Sequence, residues 1–176
     1  MARSKARPLA LVLAFAALAA CVVNLTFDMD QRGLPMITAG SGAISQSALV
    51  DLGSYDDVRS HRNDIRSLDL ESVDVTITEV KTDNTAKLLT MTLTLRKLLT
   101  DPPGNDVKIG DLAAFQVLPN GTRRIGGNPE LDAFLLERVH DGGTFYLVVA
   151  GSTDGKTDLV MDVNLHASMG YDTGFF

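Results

Sequence analysis

Apolar and polar positions alternate with period two along several stretches of this chain, and each such stretch predicts a half-buried β-strand. Val23, Leu25, Phe27 and Met29 alternate with Asn24, Thr26, Asp28 and Asp30. Residues 31–42 (QRGLPMITAGSG) lose the alternation and read as a loop, and Ile44 to Leu52 reads as a second strand. The clearest pattern follows. Val73, Val75 and Ile77 oppose Asp74, Thr76 and Thr78; after the turn KTDNT (81–85), Leu89, Met91, Leu93 and Leu95 oppose Thr90, Thr92, Thr94 and Arg96. These two arms predict a hairpin whose register is fixed by its apolar face. Asp101-Pro102-Pro103-Gly104 interrupts the sheet, and Leu112 to Leu118 is a further strand ended by Pro119-Asn120-Gly121. Thr144 to Ala150 and Leu159 to His166 are two more, joined by the polar turn Ser152 to Asp158.

Two segments switch to helical spacing. Ser54 is placed to cap a short helix with Asp56 and Asp57 in its first turn, and Val58, Ile65 and Leu68 form its apolar positions. Asn128 caps a second helix with Pro129 at its first position; Leu131, Phe134, Leu135 and Val139 form the buried stripe and Gly142 ends it. Seven strands and two short helices predict a mainly β chain: an antiparallel two-layer β-sandwich of the immunoglobulin-like class, its strand topology left open.

The N-terminus follows a different logic. Arg3, Lys5 and Arg7 precede a run from Pro8 to Ala20 without a polar side chain. A basic segment followed by a short apolar one has the form of a secretory signal, and thirteen residues fall short of the ~20 that a helix needs to cross the hydrocarbon core. Leu18-Ala19-Ala20-Cys21 resembles the lipobox of bacterial lipoproteins. The resemblance implies that the Cys21 thiol takes a diacylglyceryl group, that cleavage occurs before it, and that the new amino group is acylated. Residues 1–20 are then a signal peptide and residues 21–176 one lipid-anchored domain. Two or more acyl chains anchor stably, since each buried methylene contributes about 0.8 kcal/mol. The expected location is the cell envelope, on the outer membrane where the source has one.

Charge and composition narrow the partners. Three of the 16 Lys and Arg and none of the 22 Asp and Glu lie in residues 1–20, leaving 13 against 22, a net charge of −9 from Cys21 onward. Such a chain is a poor partner for nucleic acid or for anionic lipid, so the membrane contact is expected through the lipid and the other partner to be an envelope protein. Cys21 is the sole cysteine, so its lipidation would leave no thiol for a disulfide, zinc site or nucleophile. Trp is absent. The strand pattern begins within two residues of Cys21, which leaves almost no tether.

Candidate chemistry is sparse. His61, His140 and His166 do not pair at ligand spacing, and His140 closes a helix, where a cation suits the dipole. Asp28 with Asp30 and Asp154 with Asp158 could offer oxygens to Ca²⁺, but neither matches an EF-hand loop. The threonine rows (Thr76, Thr78, Thr90, Thr92, Thr94) suit a solvated strand face, where cross-strand threonine pairs stabilise the sheet. Tyr171, Phe175 and Phe176 are expected to cover a core edge or to dock on a partner or the bilayer. The sequence therefore assigns no catalytic residue, no metal ligand and no cofactor, and one lipidation site, Cys21. It predicts a non-catalytic interaction or structural module. The alternative is a lipoprotein that binds a small ligand or metal ion through a sandwich end loop.

Overall fold

The computed structural model describes residues 22–173; residues 1–20, expected to be a signal peptide, and Cys21, Phe175 and Phe176 lie outside the described residues. Eight strands form two four-stranded sheets: β1 (Val22–Thr38), β2 (Gly42–Asp51), β3 (Ile65–Val80), β4 (Leu88–Arg96), β5 (Val107–Gln116), β6 (Thr122–Gly126), β7 (Thr144–Thr153) and β8 (Thr157–Asp172). The two α-helices are α1 (Asp56–His61) and α2 (Pro129–His140). The expected antiparallel two-layer sandwich with two short helices is what the chain forms. One sheet runs β1-β8-β3-β6 and the other β2-β7-β4-β5. Strand 1 thus pairs with 8, 2 with 7, 3 with 6 and 4 with 5, the double-sheet jelly-roll order, which settles the topology the sequence left open. The inner faces meet in one core that includes Met29, Val75, Leu93, Phe115, Phe145 and Met161.

The predicted hairpin is not formed. Its arms are real strands, β3 and β4, with the predicted residues inward, but they lie in different sheets: β3 pairs with β6 and β8, β4 with β5 and β7. Period-two patterning reports which face of a strand is buried and is blind to the partner. In a sandwich two consecutive strands can bury the same kind of face from opposite layers.

Bulges account for the other departures. β1 runs on to Thr38, through the stretch expected to be a loop, because a register shift between Gln31 and Leu34, with Gly33 at φ +70°, moves the buried positions from odd (Met29) to even (Leu34, Met36). Pro35 is tolerated because β1 is an edge strand. Ile65 and Leu68 belong to β3 and not to the first helix. Shifts between Ile65 and Ser67 and between Leu70 and Ser72 put buried residues three apart, at 65 and 68 and again at 70 and 73, which imitates helical spacing. Ser54 does not cap α1; it lies in a 3-10 turn (Leu52–Ser54), its hydroxyl donates to Asp51 O, and Tyr55 precedes α1 without a side-chain cap. β5 begins at Val107, five residues before the predicted start. Ala113 and Ala114 together face the single residue Thr90, one residue too many, between Leu112, which pairs with Met91, and Phe115, which pairs with Leu89, and Ala114 takes φ +50°. β6 has no signal in the sequence: its five residues include two arginines and show no alternation.

The second helix forms as predicted. Asn128 Oδ1 accepts from the amides of Glu130 and Leu131, and Leu131, Leu135 and Val139 are buried. Gly142 takes φ +87° and Gly143 N donates to Arg138 O, which closes the C-terminus in a Schellman arrangement.

Candidate functional site

The outer face of the β1-β8-β3-β6 sheet carries a line of charges that touches every strand. Alternation drives it: the odd positions of β8, Leu159 to Leu165, fill the core, so Asp162, Asn164 and His166 face outward. Register places His166 opposite Asp28 of β1, and Asn164 between Asp30 and Asp74 of β3, which in turn pairs with Arg124 of β6. His166 Nδ1 lies 2.7 Å from Asp28 Oδ1 and Nε2 lies 3.1 Å from Asp74 Oδ2. Arg124 forks onto Asp74, Nε to Oδ1 at 2.7 Å and Nη2 to Oδ2 at 2.5 Å. One ionic path, Asp28–His166–Asp74–Arg124, therefore crosses all four strands.

A carboxylate accepts, so the state of His166 that donates through both ring nitrogens is the protonated imidazole, and this geometry favours it. Partial burial works against that charge, but the hydrogen bonds and fields of Asp28 and Asp74 outweigh it, and the ring's pKa is raised from 6.5. The Arg124 fork, aided by His166, lowers the Asp74 carboxyl from 3.8 to about 2. With each nitrogen on a carboxylate, His166 offers no free lone pair. Where an Asp–His relay presents its second nitrogen to a nucleophile, this ring presents it to Asp74. The arrangement is a cross-strand clamp.

A clamp of this kind has a pH signature. The raised His166 pKa stabilises the fold fully below 6.5, and that contribution is lost as pH rises through the folded value. The lowered Asp74 pKa stabilises it above 3.8, and that contribution is lost as pH falls toward 2. The thermal midpoint is expected to hold between those limits and fall on both sides. His166→Gln should flatten the alkaline limb and, because Arg124 is the larger cause of the Asp74 shift, leave most of the acid limb in place. Identical alkaline slopes in the two proteins, measured by circular dichroism melts, would contradict the clamp.

Beside the clamp lies a shallow, open depression of about 280 Å³ lined by Asp30, Arg32, Asp74, Thr76, Asp162, Asn164 and His166. Its charges are already engaged: Arg32 binds Asp30 at 2.5 Å, and Asp162 Oδ1 accepts from Gly33 N at 2.8 Å. Asn164 Oδ1 is buried there without a hydrogen-bond partner. Among the described residues no group of three or more acidic, His or Cys side chains is placed to hold a metal.

The other residues singled out from sequence disperse. Asp28 and Asp30 share a strand face but serve different cations, His166 and Arg32. Asp154 Oδ1 accepts from the amides of Lys87 and Leu88, tying the β7–β8 turn to β4, while Asp158 N donates to Asn84 Oδ1. His61 stacks on Tyr171 with ring centroids 3.8 Å apart, so Tyr171 closes the end of the sandwich under α1. His140 ends α2 as predicted, and its carbonyl accepts from Arg62. The threonine rows fall on opposite outer faces, Thr76 and Thr78 on one sheet and Thr90, Thr92 and Thr94 on the other. Most are tied across strands: Thr76 to Thr122 at 2.8 Å, Thr92 to Asp111 at 2.8 Å, Thr94 to Asp106 at 3.0 Å. Sequence reading missed the Arg96–Asp106 fork, whose side chains are 14% and 7% exposed and whose arginine holds the carboxyl below its usual range. It also missed the role of His166, because the residues that clamp it are 138 and 92 positions away.

No protein-family model and no curated protein matches the chain. Solved structures that are similar to it include one from Desmodium yellow mottle tymovirus, at 8% identity and TM-score 0.41 over 99% of this chain and 98% of that one. Another, from turnip yellow mosaic virus, is 15% identical with TM-score 0.38 over 86% and 96%. A third, from infectious bursal disease virus strain Gx, is 12% identical with TM-score 0.33; it is covered over 33% of its length by 87% of this chain.

Proposed function

We propose that this chain is an exported lipoprotein, held on a membrane of the cell envelope by a lipid on Cys21, whose sandwich is a non-catalytic interaction or structural module. The observation that carries the reading is the ordered set Arg3, Lys5 and Arg7, the apolar run Pro8 to Ala20, and Leu18-Ala19-Ala20-Cys21. Two features of the domain support it. Val22 is already paired with Asp172, so the sheet includes the residue next to the one that would carry the lipid. The most organised charged group, the Asp28–His166–Asp74–Arg124 line, ties strands together and presents no free base. The partners in this reading are the membrane, through the lipid, and an envelope protein that meets the exposed part of the sandwich.

The test is Cys21→Ala in cells that export the chain. Wild type is expected to incorporate labelled palmitate and to fractionate with membranes. The variant is expected to take no label and to accumulate at precursor length. Normal cleavage of the variant, with a product that behaves like wild type, would overturn the reading.

A further inference from the structure

The path of the chain fixes which end of the sandwich the lipid reaches. β1 runs from Val22 to Thr38 and turns back through three residues into β2, so the start of β1 and the end of β2 lie at one end. Val22 pairs with Asp172 at that end, and Asp51 with Thr144. Arg96, the last residue of β4, pairs with Tyr146 near the start of β7, so the loop from β4 to β5 emerges at the same end. Cys21 is bonded to Val22, with its Cα about 3.8 Å away. No free residue separates the lipid from the sheet.

That β4–β5 loop carries Leu98 and Leu99, 54% and 49% exposed. A single exposed leucine is ordinary; here two are adjacent, on a rigid tip, at the end of the sandwich that Cys21 adjoins. The tip is rigid: Leu98 N donates to Asp101 Oδ2 at 3.0 Å, Asp101 N donates back to Leu98 O at 2.9 Å, and Pro102 and Pro103 follow. The neighbouring cation is already paired on the surface of the α2 end, Lys97 Nζ reaching Asp141 at 3.0 Å and Glu137 at 3.3 Å. What the tip offers is therefore apolar, not electrostatic, which suits a chain whose net charge gives it no attraction to anionic lipid. β1 is an edge strand, packed against β2, and β4 stands two strands in from β2 in the facing sheet. With strands about 4.8 Å and sheets about 10 Å apart, the tip and the lipid are roughly 15 Å from each other across the end.

We propose that Leu98 and Leu99 are a second contact with the lipid surface, inserting at the boundary of headgroups and acyl chains and holding the sandwich upright with its terminal end against the membrane. This rests on the lipid anchor at Cys21. One anchor at a corner leaves a domain free to roll; an apolar point across the same end removes that freedom. Interfacial amphipathic helices bury their apolar face about 5–10 Å into the same boundary. The opposite end, with the β5–β6 turn and the exposed Leu118, then faces away from the membrane.

The chain contains no Trp, so a single tryptophan reports its own surroundings. Leu99→Trp and Leu118→Trp are made in the full chain, extracted from membranes in detergent, and reconstituted into phosphatidylcholine vesicles whose acyl chains carry bromine. Flotation with the vesicles is read separately from fluorescence. The expected result is that both variants float, that the probe at position 99 shifts to the blue and loses most of its emission to bromine, and that the probe at 118 keeps its aqueous spectrum. Flotation with an aqueous spectrum at 99, or with equal quenching at both positions, would overturn the docking while leaving the anchor standing. Failure of both to float would overturn the anchor and the docking with it.

Discussion

Leu93→Asp is expected to abolish the cooperative thermal transition, while Thr92→Asp, one residue away, keeps it. Leu93 is fully buried in the middle of β4, between Val149 of β7 and Gly110 of β5, and its side chain faces the core. A polar group buried there without a partner costs roughly 2–7 kcal/mol, and an ionised carboxylate more, against a total stability of about 5–15 kcal/mol. Thr92 faces outward, and its hydroxyl donates to Asp111 Oδ1. Its replacement loses that bond and sets two carboxylates across neighbouring strands, a cost of about 1 kcal/mol or less. Thr90→Asp, on the same face and exposed, should be close to neutral. Equal losses at 92 and 93, by thermal or urea unfolding, would mean that β4 is buried on both faces.

The second large effect is expected at Gly127→Ala. Gly127 carries the chain from β6 into α2 and passes directly over β3, its amide donating to Glu71 O. A Cβ there would stand 1.5 Å from Leu70 O and 2.6 Å from Leu70 C. Both are backbone atoms, so no side-chain rotation relieves the clash; either the connection lifts off β3 or the strand bends. Strain of this kind costs about 1–3 kcal/mol and can exceed that range where backbone must move. Gly126→Ala is the control, because its Cβ would meet nothing within 4 Å. The urea midpoint should fall sharply for the first variant and little for the second. Matching midpoints would contradict the close crossing of β6–α2 over β3.

What the sequence revealed and what it hid divide along one physical line. Wherever a strand alternates without interruption, as at Val73 to Ile77 and Leu89 to Leu95, the buried face was legible residue by residue. The second helix was legible from its ends, because Asn128, Pro129 and Gly142 act locally. Bulges hide the pattern: at Gly33, between Ile65 and Ser67, and at Ala114 one extra residue changes the parity, so these strands resemble a loop, a helix or a shortened segment. Pairing was hidden for a different reason. β3 and β4 are joined by a short turn that in most sheets would make a hairpin, and only the packing of two layers decides that each finds partners elsewhere. The clamp was hidden in the same way, since Asp28, Asp74, Arg124 and His166 become neighbours through pairings that no local pattern encodes.

The mass of the mature N-terminal peptide tests the lipid on Cys21 most directly. Protein extracted from the membranes of cells that export the chain, then digested and analysed by mass spectrometry, should yield a peptide that begins at Cys21 and carries a thioether-linked diacylglyceryl group and an acylated amino group. A mature chain with an unmodified Cys21 thiol, or one whose N-terminus lies elsewhere, would contradict the anchor and the orientation inferred from it.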